Sequence, residues 1–522
     1  MNEKSYTSNY LKIYFWQGLA FIMRFFSLFI VTPFLTKNPT VFGIYSVCVS
    51  VTIFLIYADL GFLRATQKYA AESYAKKNRN EEMRYIGFGG FILLIFTLIC
   101  TLIFYFFAIH PELLIKSLDT QEKNKIASQL LLILAIFTPL TILQRMSSMI
   151  FDIRLDGYIN QRLSLLSSLV SILSTFYFFR NGNYDIIGYF LFSQILNFIV
   201  IIITFYLAKR MYNYKLKLLF KNVRLNFDIY KKTKKLAYSG LYIIIMWILF
   251  YELDQVVISK LMGPTKVAFY AIAFSFSSIF RSIFGILFSP FTVRANHLIE
   301  NQDRFKKFCK EVIILCAPLV VIPTISFVII AKPFVLTWVG ESYTESILLA
   351  RLFPLTFTMS FISYTLTIVL MANEKTKEMY VVSTLQPLIY WTGIMLTYSK
   401  IGILSFGIFK LVATVFSEIY CLHLLIKFLS ITLKEFFKMI YPIFFSIILL
   451  IFTLTYLSNN ILPLQKSKTN LFIVLLANGF CILLSFVIQY FSSTLFRTTI
   501  NNIFCKISQN RILFFKKSVT SN

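Results

Sequence analysis

Charge is scarce in this sequence. Only 14% of its 522 residues are Asp, Glu, Lys or Arg, where a soluble domain carries roughly 25%. Acid is the scarcer sign, with 23 Asp and Glu against 51 Lys and Arg. Histidine occurs three times, at His110, His297 and His423, far apart and outside any HExxH pattern, so the ligands of metal-assisted hydrolysis are missing. The seven cysteines are scattered, several of them inside apolar runs, and form neither a disulfide framework nor a zinc-binding spacing. No polar stretch is long enough for a soluble catalytic domain. The longest segment expected on the outer face, 110–126, has only Glu112, Asp119 and Glu122 to offer. That is too little for the acid–base site of a membrane glycosyltransferase or sugar polymerase. The sequence therefore does not read as an enzyme, and it calls for no cofactor and no metal.

What is abundant is apolar surface: 57% of residues are hydrophobic and 18% aromatic. It is gathered into fourteen runs, 11–35, 40–63, 85–109, 127–146, 161–180, 186–208, 239–259, 267–292, 312–336, 346–371, 379–397, 402–425, 438–457 and 470–492. Each approximates the ~20 residues that an α-helix needs to cross a bilayer. They are apolar on all faces and twice the length of barrel strands, which excludes an outer-membrane barrel. The serine-rich run 161–180 is the weakest. A twelve-helix alternative holds if one late pair is re-entrant.

The net charge of +28 would suggest nucleic acid in a soluble protein. Here the basic residues fall in short segments between apolar runs, and their sign reads as topology. With the N-terminus inside, roughly 36 Lys and Arg fall on the inner side and roughly 11 on the outer. By the positive-inside rule both termini are cytoplasmic. The polar start, Met1 to Tyr10, lacks a small-residue cleavage site and leads into a retained first span. The segment Lys209 to Lys235 carries ten Lys and Arg and one acid, Asp228, interleaved with Leu218, Leu219, Phe220, Leu225 and Tyr230. Such a stretch lies along the inner leaflet as an amphipathic connector held by anionic lipid.

That connector marks a halfway point. The turn Asn38-Pro39-Thr40-Val41-Phe42-Gly43-Ile44-Tyr45 matches Gly263-Pro264-Thr265-Lys266-Val267-Ala268-Phe269-Tyr270 with Pro, Thr and Tyr in register, as in a duplication. Six helices is an even number, so both copies enter the membrane the same way up and the pseudo-twofold axis runs along its normal. The expected fold is an all-α integral membrane protein of about fourteen helices, two six-helix lobes with pseudo-twofold symmetry plus a C-terminal pair. The expected parts are an N-lobe at 1–208, the connector at 209–238, a C-lobe at 239–425, and the last two helices with a basic cytoplasmic tail at 426–522.

Several motifs carry a resemblance. Phe42-Gly43-Ile44-Tyr45-Ser46, Ala58-Asp59-Leu60-Gly61-Phe62 and Lys68-Tyr69-Ala70-Ala71-Glu72 in the first half, with Asp254 to Gly263, Phe269-Tyr270, Ser289-Pro290 and Gly340-Glu341-Ser342-Tyr343 in the second, resemble the polysaccharide flippases of the multidrug/oligosaccharidyl-lipid/polysaccharide exporter superfamily. The resemblance implies a transporter of the bacterial cytoplasmic membrane that carries a polyprenyl-pyrophosphate-linked oligosaccharide from the inner to the outer leaflet by alternating access. Membrane lipids, a polysaccharide polymerase and glycosyltransferases are its candidate partners, and no nucleic acid is involved. The last two helices are similar to those that form a lipid-tail groove in the lipid-linked precursor branch. The alternative within the superfamily is a cation-coupled drug or toxin exporter.

Ionisable residues within a span are costly and usually face a water-filled cavity or a partner. Arg24 and Arg281 lie near mid-depth of the first and eighth spans. The resemblance implies that both helices border one cavity, where planar guanidinium forks suit a pyrophosphate. Lys410 and Glu418 lie eight residues apart in the twelfth span and either face the cavity or pair between helices. Arg351 stands near the outer end of the tenth span and can snorkel. Glu252 and Asp254 sit in the seventh span on different faces. Asp254 matches the family pattern and is the better candidate for an ion site or gate. Asp59, near the inner end of the second span, is either a gate residue or a partner of Arg64 that caps local backbone.

Overall fold

The computed structural model describes residues 3–501 except 58, 60 and 181, and the basic tail expected at the C-terminus lies largely outside them. The chain forms two compact units, Met1–Ala271 and Ile272–Asn522. The helices of the first are α1 (Glu3–Leu35), α2 (Pro39–Val51), α3 (Ile53–Ile56), α4 (Phe62–Ala75), α5 (Arg79–Ile109), α6 (Gln121–Phe137), α7 (Leu140–Asp152), α8 (Tyr158–Phe178), α9 (Ile186–Tyr212), α10 (Leu216–Lys221), α11 (Phe227–Tyr251) and α12 (Asp254–Met262). Helix α13 (Pro264–Leu298) passes from one unit into the other. The second unit continues with α14 (Gln302–Trp338), α15 (Ser346–Leu355), α16 (Ser360–Ala372), α17 (Thr376–Ile401), α18 (Leu404–Leu429), α19 (Leu433–Ile440), α20 (Pro442–Asn460) and α21 (Lys468–Ser492).

All fourteen apolar runs fall on helix. Among the described residues, eight helices are long and apolar enough to cross a membrane alone, three more spans are bent pairs, and Pro39–Leu55 is shorter. The other two runs are α8 and α17, of 21 and 26 residues, whose serines, threonines and end charges make them more polar. Helical form follows from the solvent, because in lipid every backbone N–H and C=O must be satisfied within the chain.

Two of the three bends lie at prolines. Helices α6 and α7 meet at 46° across Thr138 and Pro139, and α15 and α16 at 43° just after Pro354. Proline removes a helical N–H and clashes with the preceding turn. Helix α11 bends by 47° between Tyr238 and Gly240.

Besides the bent pairs α6–α7 and α15–α16, two further expected helices are interrupted. The run 40–63 leaves helix after Ile56, turns through Asp59 and Gly61, and restarts at Phe62. Gly61 has φ +78°, and an added Cβ there would stand 2.7 Å from the Ala237 carbonyl oxygen, so only glycine fits this turn. The run 239–259 breaks between Tyr251 and Asp254. Glu252 is therefore the C-cap of α11 and Asp254 the first residue of α12, not two faces of one helix. Averaged over each run the hydropathy stays apolar, although Asp59 with Gly61 and Glu252 with Asp254 stand at the two breaks.

The two matched turns meet in space. Asn38 caps α2, its Oδ1 accepting from the backbone N–H groups of Thr40 and Val41 at 3.1 and 3.2 Å, with Pro39 at the first helical position. Thr40 and Thr265, 225 positions apart, are hydrogen-bonded through their hydroxyls at 3.0 Å. Gly43 has no Cβ where Pro264 arrives: one built there would lie 1.8 Å from the Pro264 carbonyl oxygen.

In the first unit the core joins Met83, Ile86 and Phe88 of α5 to Met146, Met149 and Ile150 of α7 and Phe205 of α9. In the second, Phe280, Phe284 and Phe288, one turn apart on α13, pack with Val312, Cys316 and Val320 of α14 and Phe361 and Ile362 of α16. Helix α14, at 37 residues, exceeds the ~20 needed to span, and its polar opening turns carry it beyond the apolar band. Helices α20 and α21 pack on α14 and on each other, joined by a buried hydrogen bond from the Ser446 hydroxyl to Gln489 Oε1 at 2.9 Å.

Candidate functional site

The eight ionisable residues singled out from sequence divide evenly between the units. In the first, Arg24 is exposed on α1. Asp59 is buried; its Oδ2 accepts from the Leu63 N–H at 3.2 Å, and Arg145 of α7 is its strongest opposing charge, ahead of Arg64. Asp254 is almost wholly buried and accepts from the Tyr270 hydroxyl. Glu252 is buried at the end of α11.

In the second unit Arg281 is half-buried on α13 and faces Tyr364 of α16, while Arg351 is exposed on α15. Lys410 is enclosed by aromatic faces, its Nζ 5.0 Å from the centroid of Tyr390, 5.3 Å from Phe274 and 5.8 Å from Phe353. A desolvated ammonium gains most from such faces. Glu418 is buried, and its Oε2 accepts from the Ser363 N–H at 3.1 Å. That N–H belongs to the first turn of α16, so Glu418 ties α18 to the helix start that follows the break.

Two charged features escaped the sequence reading. Arg145 borders a cavity of about 240 Å³ together with Gln144, Gln194 and Asn197. Arg154 Nη2 lies 2.6 Å from Glu82 Oε1, both side chains almost fully buried. Around this pair stand the rings of Tyr74, Tyr212 and Tyr214, at 4.7 to 5.4 Å from the guanidinium carbon. The Tyr214 hydroxyl donates to Glu82 at 3.0 Å, and Arg79 donates to the Tyr212 carbonyl that ends α9. The start of the basic connector is thereby pinned to α5 and α7. Along the chain Arg145 and Arg154 count only as positive charges for topology, and nothing near them in sequence marks their partners.

Comparison with known proteins places the chain. The profile of the family described as polysaccharide biosynthesis protein matches residues 7–293. No curated protein matches in sequence. Among solved structures, "Lipid II flippase MurJ, inward closed conformation" superposes with a TM-score of 0.67 at 15% identity, covering 90% of this chain and 98% of that one. A "multidrug resistance MATE family transporter of the MOP superfamily" in its inward-facing conformation gives 0.59 at 12% identity, covering 77% and 94%. Its outward-facing counterpart gives 0.53 at 11%, covering 81% and 95%. The fold is that of multi-pass membrane transporters of this superfamily. The chain belongs to the polysaccharide biosynthesis protein family.

Proposed function

We propose that the protein is a flippase that carries a polyprenyl-pyrophosphate-linked oligosaccharide, the repeat unit of a surface polysaccharide, from the inner to the outer leaflet of the bacterial cytoplasmic membrane by alternating access. The family match over residues 7–293 carries this reading. A second observation favours it over drug export. The MATE transporters are spanned almost completely by about four-fifths of this chain, whereas MurJ takes up 90% of it. The additional length is what a lipid-tail groove on α20 and α21 would require.

In this reading both termini are cytoplasmic, and the functional parts are the lobes 1–208 and 239–425, the connector 209–238, and the pair with its tail at 426–522. Arg24 and Arg281 take the pyrophosphate, with Arg351 and Lys410 adding positive potential. Asp254, Glu252, Asp59 and Glu418 are the candidates for ion coupling or gating. A guanidinium offers a planar bidentate fork to each phosphate oxygen pair; Arg24 is exposed and Arg281 half-buried.

The test is the fate of the precursor. Loss of the protein should strand the completed lipid-linked oligosaccharide on the cytoplasmic face with its structure unchanged. A shortened precursor would mean a glycosyltransferase, and normal surface glycan with sensitivity to cationic compounds would mean a drug exporter.

A further inference from the structure

Inside the first unit, next to the cavity bordered by Arg145, lies a second cavity of about 270 Å³. The two share Gln144, Asn197 and Ile201, while Arg145, Phe137 and Phe198 line only the first; the second by itself comes close to the lower end of the ~300–1,000 Å³ typical of ligand pockets. Twelve of the fifteen residues lining the second are Ser, Thr, Asn or Gln; none is charged and none is aromatic. Ser164, Ser167, Ser168 and Ser171 recur at helical spacing on α8 and form one wall. The carboxamides of Gln144 on α7 and Asn197 on α9 form the others.

The hydrogen bonding of this lining is half spent. Serine hydroxyls donate to their own helices, Ser168 to the Ser164 carbonyl and Ser147 to the Gln144 carbonyl, both at 2.9 Å, which leaves their lone pairs to accept. Among the described residues the side chains of Gln144, Asn160 and Asn197 make no hydrogen bond, so each presents donors and an acceptor. Gln144 and Asn197 are exposed and Asn160 is half-buried, so these carboxamides stand open to an incoming ligand and their hydrogen-bonding groups are not committed to protein partners.

The chemistry of the wall selects among ligands. A cationic drug wants an acid or an aromatic face, and a phosphate wants a cation; this cavity has neither. Interleaved neutral donors and acceptors suit a neutral polyhydroxyl compound, whose hydroxyls both give and take hydrogen bonds. We infer that this cavity is a subsite for an uncharged, hydroxyl-rich sugar segment, separate from the groups proposed to hold the pyrophosphate. The inference rests on the flippase reading and deepens it by dividing recognition between a charged anchor and a neutral sugar site.

The experiment uses the full chain in lipid nanodiscs, with native cysteines replaced by serine and Ser167→Cys as reporter of maleimide labelling. Four probes are added: the lipid-linked oligosaccharide extracted from cells lacking the protein, bare polyprenyl pyrophosphate, the oligosaccharide released from its lipid, and the cation ethidium. Retention of each lipid by the protein is measured in parallel by mass spectrometry. The intact lipid-linked oligosaccharide should slow labelling at least tenfold and the released sugar should do so only at higher concentration, while bare polyprenyl pyrophosphate should have no effect. Gln144→Ala with Asn197→Ala should remove most of this protection without abolishing retention of bare polyprenyl pyrophosphate. Equal protection by the bare lipid, or protection by ethidium, would overturn the subsite. Retention of the intact lipid with unchanged labelling would sink the subsite alone, whereas no retention of either lipid would sink the flippase reading with it.

Discussion

Removing Glu82 should destabilise the first unit by an amount set by what it leaves behind. In the native protein Arg154 is almost fully buried and holds Glu82 at 2.6 Å, the Ile150 carbonyl at 2.7 Å and three tyrosine faces. Breaking a buried ion pair from one side costs ~3–5 kcal/mol, mostly because the surviving charge is stranded. The tyrosine faces retain part of that charge, each giving ~0.5–2 kcal/mol, so Glu82→Ala should lose about 3 kcal/mol, the lower end of the range. Tyr214→Phe removes a hydrogen bond to a carboxylate, worth ~1.5–3 kcal/mol. That bond persists across ordinary pH, because burial and then the Glu82 charge push the Tyr214 phenol well above its usual range. Glu82→Leu with Arg154→Met, which replaces the pair by apolar volume, should recover much of the single-mutant loss. Thermal unfolding of purified protein can be followed by a thiol-reactive dye, since Cys48 is wholly buried until the unit opens. A loss below about 1 kcal/mol for Glu82→Ala, or additivity of the two single changes in the double variant, would refute the assignment of this pair as the pin of the connector.

Gly43→Ala should impair folding and export, because its Cβ would collide with backbone at Pro264; overpacking of this kind costs ~1–3 kcal/mol. Gly18→Ala, with nothing within 4 Å of the new Cβ, is the matched control and should be neutral or slightly stabilising by melting temperature. Arg24→Ala or Arg281→Ala should abolish surface glycan while protein stays in the membrane, and Lys at either site should rescue only partly. Normal glycan in the double Ala variant would remove the pyrophosphate role. In a cysteine-free background, Lys221→Cys and Gln302→Cys, both exposed, should resist an impermeant thiol reagent on intact cells while Asn459→Cys reacts; the reverse pattern would invert the topology.

Hydropathy and length alone settled the helices, because bilayer thickness and the need for internal backbone hydrogen bonding leave one solution for each long apolar run. The motifs shared between Phe42 and Gly263 pointed to the family whose profile matches residues 7–293. Both are local properties, sums or patterns along the chain. The helix breaks at 57–61 and 252–253 carry local marks, Asp59 with Gly61 and Glu252 with Asp254. A charge within a span reads equally well as a site residue, so the sequence alone does not locate the breaks. Arg154 finds Glu82 across 72 positions and Asp59 faces Arg145 across 86, and an electrostatic partner at such separation is chosen by how helices pack. The serine face of α8 was readable at its helical spacing, yet along the chain it looked only like a weak span. Its meaning emerged when packing set Gln144 and Asn197 opposite it, since a polar group in a membrane helix is defined by what it faces and that is decided only in three dimensions.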